Sequence, residues 1–246
     1  MNAIRDFKIK IFADGADLQG MLTMAEKPFI KGFTTNPTLM RKAGIQDYEE
    51  FARQVLARIQ DRPVSFEVFA DSANEMIAQG RVIGSWGKNV NVKVPVTNTK
   101  GEFMGEVISR LSKEGVVLNV TAILTTDQVR QVAEALSPAT PAIVSVFAGR
   151  IADTGVDPVA IMLECKRILQ SRPKAELLWA SPREILNLVQ ANDCGCDIIT
   201  MTNDLLAKVA GLGKDLSTFS LETVSMFYRD AQAAGYSIRV PGASAA

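Results

Sequence analysis

In the stretch Asn89-Val90-Asn91-Val92-Lys93-Val94-Pro95-Val96, valines hold one parity while Asn89, Asn91 and Lys93 hold the other. Successive side chains of a strand point to opposite faces, so if the valines meet packing helices, Lys93 is carried inward. A lone strand lysine is often an edge residue or a solvated end, but the flanking valines argue against an exposed edge here. A lysine buried without a paired charge tends to shed its proton, and a neutral amine is the nucleophile that a Schiff base needs. The same alternation pairs Ser65 with Glu67, Gly32 with Thr34 and Asn36, Asn119 with Thr121, and Ser145 with Phe147, and it leaves Asp14 at the end of the first apolar run. Asp14 and Glu67 are open to two readings: partners in the chemistry of Lys93, or carboxylates that neutralise it or cap the following helices. Asn119 and Thr121 equally suit ligand contact or hydrogen bonding in a closed interior.

A second group suits an anion. Arg150 follows a sixth strand pattern, and Ser181-Pro182-Arg183 ends a seventh and reads as an N-cap with proline in the first helical turn. Two guanidinium groups and a helix N-terminus meeting there would hold a phosphate or similar oxyanion, although each arginine alone reads as an ordinary surface residue. No Gly-x-Gly-x-x-Gly or P-loop spacing occurs, so no nucleotide site is expected.

Composition narrows the chemistry further. The chain of 246 residues contains no histidine, which excludes an imidazole base, Ser-His and Cys-His dyads and any His-ligated metal. Three cysteines, Cys165, Cys194 and Cys196, are odd in number and the last two sit too close for an ordinary disulfide, so buried thiols in a reducing compartment are expected. With 27 basic residues against 27 acidic ones, no net field draws the chain to nucleic acid or to an anionic membrane. Charges interrupt every long apolar run, and Met1-Asn2-Ala3-Ile4-Arg5-Asp6 lacks a signal-peptide pattern, so a soluble cytoplasmic protein is expected.

The elements that must position these groups repeat along the chain. Strand patterns fall at 8–13, 31–34, 64–69, 89–94, 116–121, 142–147, 176–180 and 197–201. Helical patterns lie between them, such as Ala73, Met76, Ile77, Gly80 and Ile83, or the run from Asp127 after the Thr125/Thr126 cap signal. Eight βα units predict an α/β fold, a single (β/α)8 TIM barrel over residues 1–246. An additional C-terminal helix at about 212–236, with Phe219, Leu221, Val224, Met226 and Phe227, is surplus to a closed barrel. It either packs across the barrel's own edge or reaches a neighbouring subunit; the small residues of the tail, 240–246, are expected to fray.

The run Gly32-Phe33-Thr34-Thr35-Asn36-Pro37-Thr38-Leu39 resembles the Thr-Thr-Asn-Pro signature of transaldolases, and Asn91-Val92-Lys93-Val94-Pro95-Val96-Thr97 resembles the Schiff-base strand of their small bacterial members. Agreement continues through Asp14, Asn119 to Thr121, Ser145 to Arg150 and Ser181 to Arg183. The resemblance implies a class I aldolase chemistry without metal or cofactor, in which a dihydroxyacetone unit passes from a ketose phosphate to an aldose phosphate. It implies that Lys93 forms the imine, Asp14 moves the proton at the breaking bond, and Glu67 and Thr121 hold the proton-shuttling water. Asn36, Asn119 and Ser145 would bind the hydroxyls of the three-carbon unit, Thr34 and Phe147 would also contact substrate, and Arg150, Ser181 and Arg183 would hold the distal anion. It further implies carbohydrate metabolism of the pentose phosphate type and a homo-oligomer, pentamer or decamer, with the C-terminal helix at a subunit interface. In the related fructose-6-phosphate aldolases, Gln, Ala and Tyr typically stand at the positions of Glu67, Ser145 and Phe147, so all three match transaldolase here. Pro182 replaces a common Phe and touches the anion site; the alternatives are a fructose-6-phosphate aldolase-type enzyme or a transaldolase or aldolase for another anionic sugar, such as a sulfonated one. The different-class alternative is a noncatalytic barrel that binds sugar phosphates.

Overall fold

The computed structural model describes residues 7–239; the expectations for residues 1–6 and 240–246 concern residues outside it. Eight strands form the barrel wall: β1 (Lys10–Asp14), β2 (Ile30–Thr34), β3 (Val64–Glu67), β4 (Val90–Pro95), β5 (Leu118–Ile123), β6 (Ala142–Val146), β7 (Ala175–Trp179) and β8 (Ile198–Thr202). All neighbours pair in parallel, and β8 returns to β1, closing the (β/α)8 barrel that the sequence rhythm predicts. The strand patterns overran at several ends, among them Phe69 beyond β3 and Phe147 beyond β6. At both places the chain turns out of the wall, with Gln79 capturing the Phe69 N–H and Phe147 standing at a helix start.

Helices α1 (Leu18–Ala25), α2 (Pro37–Lys42), α3 (Tyr48–Arg58), α4 (Ala73–Gly84), α5 (Gly105–Lys113), α6 (Thr126–Ala135), α7 (Ala148–Ala152), α8 (Val159–Leu169), α9 (Leu186–Asp193) and α10 (Asn203–Lys208) connect and follow the strands. Local chemistry starts several of them. Asp17, Asn36, Asp47, Ser72 and Thr125 each accept a backbone N–H three residues on, and Thr125 with Gln128 forms a full capping box. Helix α4 buries Met76, Ile77, Gly80 and Ile83 of the stripe read from spacing, while Ala73 at its first turn is half-buried.

The outward parity of the strands supplies the core beneath the helices. Val90, Val92 and Val94 of β4 are buried, as are Val64 and Phe66 of β3 and Val144 and Val146 of β6. Inside the barrel, Phe12, Ile143, Leu178, Ala180 and Ile198 form an apolar cluster, against which Phe147 packs. Gly32 faces the Phe12 ring, where an added Cβ would lie 2.5 Å from the ring, so the large side chain on β1 depends on the missing one on β2. Burying such an aromatic side chain contributes about 1.5 to 3 kcal/mol, and here it also closes the interior below the polar end.

The chain divides into two compact units, one up to Val209 and one from Ala210. The second holds α11 (Leu216–Ala233), started by Asp215 and carrying exposed Phe219, Leu221, Val224, Phe227 and Tyr228.

Candidate active site

Alternating side chains at the C-terminal ends of the strands converge on a cavity of about 610 Å³. Each of the twelve residues singled out from the sequence lines it: Asp14, Thr34, Asn36, Glu67, Lys93, Asn119, Thr121, Ser145, Phe147, Arg150, Ser181 and Arg183. Lys93 is 7% exposed, and its Nζ donates to Glu67 Oε1 at 2.6 Å and to the Thr35 carbonyl at 2.5 Å. The lysine is therefore buried with a paired charge rather than alone. The pairing follows from register, because Glu67 and Lys93 are directly opposite on β3 and β4. Glu67 Oε2 is buried with no partner among the described residues. Burial pushes the Glu67 carboxyl above its ordinary value, with Lys93 opposing.

Asp14 sits across the interior at the end of β1. Its two oxygens accept from Thr34 Oγ1 at 2.8 Å and Asn36 Nδ2 at 3.2 Å. Burial raises its pKa, against the pull of the Lys93 charge and of those two donors. Asn36 works twice, since its Oδ1 also caps α2 by accepting the Leu39 N–H at 2.9 Å. Further round the wall, Ser145 Oγ donates to Asn119 Oδ1 at 2.6 Å and Asn119 Nδ2 donates to Ser65 Oγ at 3.1 Å, a chain of polar groups fixed in one orientation. Thr121 precedes Ala122, whose φ of 61° lies in the left-handed region at an irregularity in the β5–β6 register. Such bulges re-aim side chains beside functional cavities.

The loops after β6 and β7 carry the positive charge. Arg150 lies on α7 with its guanidinium 5.7 Å from the Phe147 ring centroid, and no carboxylate pairs with it among the described residues. Arg183 has a partner: its Nε donates to Asp153 Oδ1 at 3.0 Å and Nη2 bonds the other carboxylate oxygen. The expected N-cap at Ser181 is corrected. Helix α9 begins at Leu186, and Ser181 is left-handed at φ 57°. The reason is tertiary: the Ser181 carbonyl is packed onto Gly149, where an added Cβ would fall 1.5 Å from that oxygen. The Arg183 N–H, at 2.7 Å, goes to Asn187 Oδ1 instead.

A profile of the family described as Transaldolase/Fructose-6-phosphate aldolase matches residues 11–238 of this sequence. The chain belongs to that family. Among curated relatives, it is 32% identical over 223 residues to a probable transaldolase 2 of Listeria monocytogenes, covering 86% of this chain and 98% of the relative. It is 35% identical over 202 residues to a probable transaldolase of Dehalococcoides mccartyi, covering 82% and 90%. Similarity to solved structures extends to more distant barrels. One is the 3-hexulose-6-phosphate synthase of Salmonella typhimurium, with TM-score 0.54 and 16% identity over 79% of this chain and 88% of that one. At that identity the likeness is of fold alone.

The transaldolase-family cavity also contains groups that sequence reasoning missed. Thr200 bonds Thr34 through their hydroxyls at 2.5 Å, and Thr202 and Asp204 line the same wall. The alternation Ile198, Thr200, Thr202 on β8 carried the signal for the threonines. Gly149 and Asp153 carried none, because both act on residues about thirty positions away. The three cysteines are buried free thiols, as expected.

Proposed function

We propose that this member of the family is a transaldolase. It moves a dihydroxyacetone unit from a ketose phosphate of the fructose 6-phosphate type to an aldose phosphate through an imine on Lys93. The observation that carries the reading is the buried Lys93–Glu67 pair on a polar cavity, with the second oxygen of Glu67 unpartnered among the described residues. An attacking amine must first lose its proton, and Glu67 at 2.6 Å is placed to take it; burial favours the neutral carboxyl.

Attack of Nζ on the ketose carbonyl carbon forms a C–N bond, and protonation of the oxygen gives a carbinolamine. Loss of water, its proton handled at Glu67 Oε2 and Thr121, leaves an iminium. Asp14 then removes the proton of the hydroxyl next to the breaking bond; that C–C pair moves toward the iminium nitrogen, and the shortened aldose leaves as an aldehyde. The enamine adds to the acceptor aldehyde, Asp14 returns the proton to the new oxygen, and hydrolysis frees Lys93. Thr34 and Asn36 orient Asp14, while Asn36, Asn119 and Ser145 contact the hydroxyls of the three-carbon unit and Phe147 bounds it. Arg150, Ser181 and Arg183 take the distal phosphate or sulfonate, with Arg150 supplying a charge that no carboxylate among the described residues shares.

The same reading places the enzyme in cytoplasmic carbohydrate metabolism of the pentose phosphate type; buried free thiols are in keeping with a reducing compartment. Among the described residues, no helix is long and apolar enough to cross a membrane. The exposed apolar side chains of α11 support a homo-oligomer, pentamer or decamer, in which this extension meets a second copy.

Incubation with fructose 6-phosphate, borohydride reduction and peptide mapping tests the chemistry. A dihydroxyacetone-derived label on Lys93 is expected. A label on Lys88 or Lys100, or none, would overturn it. Free dihydroxyacetone accumulating without an acceptor would assign the aldolase activity instead.

A further inference from the structure

Glu67 ends β3 at a place where the wall has lost a neighbour. Strand β2 pairs with β3 only through Phe33 with Val64 and Thr34 with Ser65, because the chain then turns into the Asn36 cap of α2. Alternate residues of a strand turn their N–H and C=O to the same neighbour. The Ser65 carbonyl accepts the Thr35 N–H, so Ser65 faces β2, and the Val68 N–H goes to Lys93 on β4. The backbone of Glu67 therefore faces the β2 side, beyond the last strand residue there. The Tyr48 hydroxyl occupies that position. It accepts the Glu67 N–H at 2.6 Å and donates to the Glu67 carbonyl at 3.2 Å, completing the ladder with one side chain.

The phenol is itself held in place. Tyr48 is the first residue of α3, behind the Asp47 cap, and its ring meets Phe69, Trp86 and Phe66 edge-on at centroid distances of 4.6, 5.7 and 6.1 Å. Burial pushes its hydroxyl above the ordinary tyrosine value, which keeps it a donor. Tyr48 lines a separate, largely apolar cavity of about 320 Å³ outside the barrel wall and is not part of the lining of the catalytic cavity. Glu67 belongs to both linings and takes both backbone hydrogen bonds of the Tyr48 hydroxyl, so it connects Tyr48 to the chemistry.

We propose that Tyr48 is a positioning residue: by holding both backbone groups of Glu67 it sets the distance of that carboxylate from Lys93 and the aim of its unpartnered oxygen. This rests on the Schiff-base reading above. Displacing a proton-handling group by a fraction of an ångström to an ångström is enough to slow turnover up to about a hundredfold.

The test is Tyr48→Phe, which keeps the ring and removes the brace, measured per active site by counting borohydride-trapped Lys93. Trapping counts only folded sites, so partial loss of stability does not enter the result. Turnover per trapped site is expected to fall about tenfold or more, with KM changed far less and the acid limb of the pH–kcat profile displaced. In a Glu67→Gln background the same substitution is expected to have almost no further effect, because its action runs through Glu67. Trp86→Phe, which loosens the ring cage but keeps the hydroxyl, should give a smaller loss that Glu67→Gln also abolishes. Unchanged turnover per trapped site in Tyr48→Phe, or an equal loss with and without Glu67→Gln, would overturn the positioning role while leaving the Schiff base intact. Absence of a Lys93 adduct in the unaltered protein would overturn the Schiff-base reading, and this role with it.

Discussion

Replacing Lys93 by methionine probes the buried pair through stability alone, without reference to turnover. The Lys93 and Glu67 side chains are 9% and 10% exposed, so removing the ammonium leaves a carboxylate in a nearly dry interior. Breaking a buried pair from one side destabilises by about 3 to 5 kcal/mol if the remaining charge persists. Protonation sets a ceiling on that loss, because loading a proton at pH 7 onto a glutamate of ordinary pKa near 4.3 costs roughly 3.7 kcal/mol. A loss of about 3 kcal/mol at neutral pH follows, which for a chain of this size lowers Tm by roughly 6 to 12 °C. The dependence on pH has a definite sign. With Lys93 gone, the folded-state pKa of Glu67 rises further above its unfolded value, so the folded state binds more protons. Stability relative to the unaltered protein is then nearly complete below the unfolded pKa. It declines as pH climbs toward the raised folded value, by up to about 1.4 kcal/mol per pH unit. Asp14, a part-buried carboxyl also in the field of Lys93, acts in the same direction. Urea melts of the unaltered protein, Lys93→Met and Lys93→Met/Glu67→Gln at pH 5 and pH 8 measure this. The single variant's deficit should widen with pH, and the double variant should recover most of it at pH 8. A deficit independent of pH, or a Lys93→Met protein as stable as the original at pH 8, would refute the buried-pair reasoning.

Three further outcomes are expected. Thr34→Val removes a donor that holds the Asp14 pKa down, so the acid limb of the kcat profile should move to higher pH; an unmoved limb would separate Asp14 from the rate-limiting proton transfer. Gly149→Ala puts a methyl group into the Ser181 carbonyl and should destabilise by about 1 to 3 kcal/mol. It should also raise KM for fructose 6-phosphate while trapping of unphosphorylated dihydroxyacetone on Lys93 persists, and equal loss of both would show that the damage is not confined to the anion end. Glu67→Gln exchanges an ionisable group for an amide of the same shape and should raise release of free dihydroxyacetone relative to transfer; an unchanged ratio would leave Glu67 as a charge partner of Lys93 only.

The wall of the barrel was legible because its signal is local. Strand parity is a period-two property of adjacent residues, so the valines of β4 on one face place Lys93 on the other without knowledge of any partner. The Thr125 cap and the apolar stripe of α4 are equally local, and both, Ala73 apart, appear where the spacing put them. Ser181-Pro182 shows the limit of such signals. The pattern suits an N-cap, but the close approach of Gly149 turns Ser181 left-handed and Asn187 takes the N–H that the cap would have satisfied.

By itself, then, the sequence determined the eight-unit rhythm, the inward parity of the polar residues, and a chemistry restricted to lysine, carboxylates and hydroxyls by the absence of histidine. Which of those groups touch was decided only by closure of the barrel. Register brings Glu67 opposite Lys93, the early end of β2 admits the Tyr48 hydroxyl to the Glu67 backbone, and the meeting of the β6 and β7 loops sets Asp153 against Arg183. These contacts join residues 19 to 30 positions apart, each on a different βα unit. Propensity and periodicity act over a few residues along the chain. Such pairings depend on strand stagger and loop path, which are set by packing the whole wall at once.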